Sequence, residues 1–191
     1  GDIVIGELPE GESEDYKSKL LKDEPQRSRL WGSSEIPYGF HEGFPPELRA
    51  EVLKAVSYFN RETVIDFIEA DASYDEDVMV FKYRPGAPCA SYLGRIGGLQ
   101  PIYLQKNCSM QDVLHEVMHA LGFVHEQQRE ERDRVLEVLW PNIKDEFQYN
   151  FSLLPDSMVH PYSGSVFDVS LTSVMMYHDE AFAKDGKKSM K

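Results

Sequence analysis

The sequence predicts one globular domain that mixes strands with helices and is organised around a metal-binding helix. Three observations carry that expectation. The 191 residues are 41% hydrophobic and 28% charged, which is enough apolar material for a sizeable core, with room for two lobes around a cleft. Strand-like runs alternate with segments of helical spacing over the first two thirds of the chain. The stretch His115-Glu116-Val117-Met118-His119, followed by His125, has the spacing of ligands for one small ion.

Taken in order, residues 1–29 differ from the rest. Glu7, Glu10, Glu12, Glu14 and Asp15 crowd one segment, and Lys17, Lys19, Lys22, Arg27 and Arg29 follow. Such a segment lacks the apolar surface to fold alone. It reads either as a solvated tail or as a pro-segment whose basic residues offer cleavage points. From Leu30 to Phe40 the chain becomes aromatic-rich, as a first strand would be. Phe44-Pro45-Pro46 supplies a helix start, and Leu48, Val52, Val56 and Phe59 continue at helical spacing to about Glu62.

Strands are expected over Val64–Ile68 and Val78–Tyr83, with a solvated acidic loop, Asp71–Asp77, between them. A calcium site in that loop is disfavoured, because the glycine and terminal glutamate of an EF-hand are missing. Further strands are expected at Ser91–Arg95 and Ile102–Leu104. A bridge between Cys89 and Cys108 would pin the intervening strand and loop beside the metal helix and suit an oxidising compartment. Two buried thiols, or one thiol acting as a zinc-blocking switch, are the alternatives. The helix that carries the histidines starts near Met110. Beyond it, mixed charges fill residues 127–134, a second-lobe helix is expected over Asp145–Leu154, and residues 155–172 are loop-rich.

On a helix, His115 and His119 lie four residues apart, so their rings share one face. Glu116 sits one step round, able to reach a water on the ion without ligating it. Gly122 can take a left-handed backbone that ends the helix and turns the chain, which brings His125 back as a third ligand. Three imidazoles with one position left open is a catalytic zinc arrangement, since structural sites usually close with four protein ligands.

A net charge of −13 argues against nucleic acid or an anionic membrane surface as partner. No apolar run approaches membrane-span length. Ile3-Val4-Ile5 is too short for a secretory core, so an exported form is expected to have lost its signal already.

These residues resemble the astacin metallopeptidases of the metzincin group. The resemblance rests on His115-Glu116-x-x-His119-x-x-Gly122-Phe123-x-His125-Glu126-Gln127, with Arg129, Arg132 and Asp133 beyond it. The full pattern is far more specific than a lone His-Glu-x-x-His. Leu30-Trp31 and Ile36-Pro37-Tyr38 are similar to the family's early mature sequence, Cys89 to Gly98 to its cleft-edge strand, and Ser173 to Tyr177 to its Met-turn.

The resemblance implies a zincin-like α+β fold, with a mixed sheet and helices in an upper lobe, an irregular lower lobe and the zinc cleft between. Residues 1–29 would then be a pro-segment or tail and 30–191 the catalytic domain, with an upper lobe of about 30–122 and a lower lobe of about 123–191. His115, His119 and His125 would hold Zn2+. Glu116 would take a proton from zinc-activated water and pass it to the leaving amine. Tyr177 would ligate zinc at rest and swing away to hydrogen-bond the oxyanion. Met175 would form the apolar floor under the histidines. Ser91, Tyr92, Leu93, Gly94 and Arg95 would bind an extended polypeptide substrate by strand addition. Glu126 would receive the new N-terminus after activation cleavage. Gly1-Asp2-Ile3 fits the end of the family's zymogen motif, so Asp2 is a candidate zinc ligand in a latent form, with the chain's own N-terminal segment as inhibitor. The implied protein is secreted, and a monomer is the expected state.

The sequence departs from the family pattern at Met176, where a histidine is usual, and at Val64, where a cysteine often stands. It also stops at Lys191, before the family's usual C-terminal helix. A catalytically silent zinc- or peptide-binding module is the alternative reading, but the catalytic base Glu116 argues against it. A structural zinc protein is disfavoured because only three ligands converge.

Overall fold

The computed structural model describes residues 30–70, 77–154 and 169–191. Two compact units divide after Gly122. In the first, strands β1 (Glu35–Phe40), β2 (Asp66–Glu69), β3 (Val78–Tyr83), β4 (Ala90–Ser91) and β5 (Leu99–Leu104) form one sheet in the order β2-β1-β3-β5-β4. All neighbours are parallel except β4, which runs antiparallel to β5 at the edge. Helices α1 (Pro46–Glu62) and α2 (Met110–Leu121) bury their apolar faces in the same core as the sheet. Val52, Ala55 and Phe59 of α1 meet Ile36, Met79, Phe81 and Ile102 there, with Val113, Val117 and Ala120 of α2. Parallel strands need crossover connections, and α1 supplies the one between β1 and β2.

Local chemistry sets the ends of α1. Pro45 and Pro46 open it, and Thr63 closes it by donating from both its amide and its hydroxyl to Phe59 O, at 3.0 and 2.9 Å. The Asn60 amide then takes both main-chain groups of Phe67 in edge strand β2, donating to its carbonyl at 3.1 Å and accepting from its N–H at 2.8 Å. A side chain therefore covers part of a sheet edge that would otherwise stay open.

Three strands are shorter than the sequence suggests, and β2 spans Asp66–Glu69 rather than Val64–Ile68. β1 begins at Glu35 rather than Leu30, because the Trp31 indole N–H turns to Ala120 O at 2.9 Å. The expected strand over Ser91–Arg95 is only Ala90–Ser91. Gly94, Gly97 and Gly98 all have positive φ, which breaks the pleat. The fully buried Gln100 side chain holds this bend by accepting from Ile96 N at 2.9 Å and donating to Gly94 O at 3.0 Å. Cys89 and Cys108 form the disulfide, so the two-thiol and thiol-switch alternatives fall.

The second unit, Phe123–Lys191, contains no α-helix among its described residues. The helix expected over Asp145–Leu154 is a 3-10 segment, Asp145–Phe151, and shorter 3-10 turns span Glu126–Gln128, Glu130–Arg134 and Trp140–Asn142. Leu136, Val138, Ile143, Phe151, Val169 and Met190 make its core. Arg132 is 4% exposed, and its guanidinium donates to Gln127 O and Phe151 O. Carbonyl acceptors of this kind make a buried cation tolerable. Among the described residues, no helix is long and apolar enough to cross a membrane.

Candidate metal centre

Helix α2 is fixed at both ends. Ser109 caps its start by accepting from Asp112 N, while the Asp112 carboxylate accepts from Ser109 N at 2.7 Å; such a reciprocal pair satisfies two otherwise orphaned donors. The helix ends at Gly122, whose φ of 105° is left-handed and open at low cost only to glycine. The Gly122 and Gly94 amides both donate to His119 O at 2.8 Å. The carbonyl of a histidine on the active face is thus held from two sides.

With Val113, Val117 and Ala120 turned into the core, His115 and His119 fall together on another face. Their ring centroids are 4.6 Å apart and their planes perpendicular. His125 follows the glycine turn, and one ligand nitrogen from each of the three histidines lies within 4.8 Å of the others. His119 is fully buried, His125 is 2% exposed and Glu116 is also 2% exposed.

Around His125, three short segments of the second unit are tied together. Its ring lies 4.5 Å from that of Tyr177, and its Nδ1 is 3.0 Å from Gln128 Oε1. Glu126 N donates to Met175 O at 3.0 Å, and Tyr177 N donates to Gln127 Oε1 at 3.3 Å. Met175 is 1% exposed. The Glu126 carboxylate accepts from Arg129 Nη1 at 3.2 Å and from Ser170 N at 3.4 Å.

Met176 is half-buried and packs, like Tyr177, against the apolar cluster of this unit. A thioether suits that environment better than an imidazole, which gives a physical reason for the departure at this position. Ser91, Tyr92, Leu93 and Gly94 are buried. Arg95 is half-buried, paired with the Asp77 carboxylate, and donates from Nε to Leu30 O at 3.3 Å. Asp2 lies outside the described residues.

Three neutral imidazoles form a borderline-soft nitrogen donor set of the kind Zn2+ prefers, and their mutual spacing lets one ion reach all three. Sequence reasoning gave no role to Trp31, Gln100, Gln127 or Gln128. The signal that could have found the glutamines is weak, since an uncharged amide has no spacing rule, whether in a strand like Gln100 or among charged residues like Gln127 and Gln128.

Comparison with known proteins points the same way. The model of the astacin peptidase family matches residues 23–191. The chain is 31% identical over 196 residues to zinc metalloproteinase nas-4 of Caenorhabditis elegans, across 100% of this chain and 59% of that protein. It is 32% identical over 187 residues to Tolloid-like protein 1 of Homo sapiens, across 96% of this chain and 18% of that protein. It therefore spans less than two thirds of the length of these relatives. Among solved structures it is similar to high choriolytic enzyme 1, a hatching enzyme zinc-protease from Oryzias latipes. That match has a TM-score of 0.72 at 27% identity and covers 89% of this chain and 84% of the other. The fold is accordingly zincin-like α+β, and zinc is the metal that the three histidines fit. By sequence, fold and donor set, the chain belongs to the astacin family of zinc metallopeptidases.

Proposed function

We propose that this chain is a zinc-dependent endopeptidase for extended polypeptides, held latent by its own N-terminal segment. The observation that carries the reading is the convergence of His115, His119 and His125 within 4.8 Å, beside the buried carboxylate of Glu116 on the helix that carries the first two. A purely structural or silent site has no use for that carboxylate.

His115, His119 and His125 would hold the metal. Bound zinc supplies Lewis acidity, polarising a peptide carbonyl and making water acidic enough to lose a proton near neutral pH. Glu116 takes that proton as the water oxygen bonds to the carbonyl carbon, and delivers it to the amine as the C–N bond breaks. Tyr177 would help hold the metal at rest, and its hydroxyl would donate a hydrogen bond to the oxyanion as negative charge develops. Met175 floors the histidines, and the main-chain bond from Glu126 to Met175 supports its position. The substrate pairs with the main chain at edge strand β4 and the bend after it, because the side chains of Ser91, Tyr92 and Leu93 are themselves buried.

Latency follows if Asp2 takes the metal position that the reaction needs. Removing residues 1–29 clears that position, and the new ammonium terminus pairs with Glu126, a carboxylate that already collects Arg129 and Ser170. The domain would then be residues 30–191, with lobes of about 30–122 and 123–191. The disulfide between Cys89 and Cys108 supports an extracytoplasmic, secreted working location, and a monomer completes the reading.

Hydrolysis of a denatured protein by three forms of the chain tests this. The full chain should be slow, while the form trimmed of residues 1–29 and the full-length Asp2→Ala variant should both be fast. Equal latency of Asp2→Ala and the parent would remove Asp2 as the lock. No cleavage by the trimmed, zinc-loaded form would sink the peptidase reading.

A further inference from the structure

His125 is the ligand that lies beyond helix α2, so its ring orientation needs a support of its own. A neutral imidazole carries one proton, on Nδ1 or on Nε2, and only the other nitrogen keeps a lone pair for a metal. His125 Nδ1 sits 3.0 Å from Gln128 Oε1. An amide oxygen only accepts, so this contact requires the proton on Nδ1 and leaves the Nε2 lone pair to ligate. With the amide reversed, its NH2 group would face Nδ1, the ring proton would move to Nε2, and the ring would be lost as a ligand through that nitrogen.

The main chain of Gln128 is fixed in place. It is 8% exposed and ends the 3-10 turn that His125 caps. Its main-chain amide donates to His125 O at 3.1 Å, and its main-chain carbonyl accepts from Leu154 N at 2.9 Å. Main-chain bonds on both sides therefore fix the Cα from which the side chain reaches the ring. Another side of the imidazole is closed by Tyr177, ring to ring at 4.5 Å.

We propose that Gln128 is a positioning residue that sets the tautomer of His125 and so makes it a zinc ligand; this rests on the zinc site proposed above. Outer partners of this kind typically contribute a factor of about 10–100 to metal affinity.

The test uses the full chain and two variants. Gln128→Met keeps the length of the side chain but loses the acceptor, and Gln128→Glu restores an acceptor. Zinc affinity is read by competition with a chromogenic chelator, and the His125 tautomer by long-range 1H–15N correlation on the metal-free protein. The parent should show the Nδ1–H tautomer. Gln128→Met should bind zinc about 10–100-fold more weakly with a mixed tautomer, and Gln128→Glu should recover both properties. Parent-like affinity and tautomer in Gln128→Met would overturn the proposal. So would loss of zinc in Gln128→Met that Gln128→Glu fails to rescue, since that would mean packing alone. If the parent takes up no zinc, the zinc reading fails on its own, while the His125 tautomer in parent and variants still decides whether Gln128 sets it.

Discussion

Glu116→Gln in the trimmed chain should lower kcat for polypeptide hydrolysis by about 10²–10⁴-fold, the range for losing a positioned general base. At about 1.36 kcal/mol per factor of ten, that is about 3–5 kcal/mol of transition-state stabilisation. The substitution keeps the shape of a side chain that is 2% exposed, so the fold and the core face of α2 should be undisturbed. Zinc content should stay at the parent level, because Glu116 lies next to His115 in sequence but off the line joining His115 and His119. KM should change little, since the proton is moved only as the bond to water forms. A variant that keeps most of its kcat would mean another group takes the proton. A variant that loses zinc would mean Glu116 is a ligand and the division of roles is wrong.

The second large effect concerns stability. Replacing Cys89 and Cys108 together with alanine should destabilise the chain by about 3 kcal/mol, the loop-closure contribution expected for a bridge of this span. The bridge joins positions 19 residues apart and so removes freedom from the unfolded chain rather than adding many contacts to the folded one. Cys108 is also 3% exposed, which adds the cost of a small cavity. Its position has a local consequence as well, because Ser109 follows immediately and caps the zinc helix. Denaturant unfolding of metal-free parent and variant checks this, with an unchanged midpoint as the contrary result. Working without metal keeps zinc binding from masking the difference.

How far these features were legible in the sequence depended on the kind of signal. β3 was readable to the residue, because Val78 to Tyr83 is an unbroken strand-forming run, and α2 starts at Met110, near where the helix was expected to begin. The clustering of His115 and His119 was readable because spacing on a helix is fixed by its pitch, and that of His125 because Gly122 ends the helix and turns the chain. The bend after Ser91 was misread as strand, since Tyr92 and Leu93 favour a pleat and the decisive influence is a buried amide, Gln100, several residues later. The segment Asp145–Phe151 misled for a related reason. Phe147, Asn150 and Phe151 have spacing that fits either an α-helix or a tighter 3-10 run, and only packing around Ile143 and Phe182 separates the two. Gln128 was silent in the sequence, because its role exists only once the turn after His125 sets the amide against the ring.

His115, His119 and His125 should hold a zinc on which peptide hydrolysis depends. The most direct measurement is hydrolysis of a denatured protein by the trimmed chain before and after removal of metal with a chelator, followed by return of zinc in stoichiometric amount. The expected result is full loss on chelation and full return with zinc, with no return in His119→Ala. Hydrolysis that persists in the metal-free chain, or that zinc restores equally in His119→Ala, would contradict the claim.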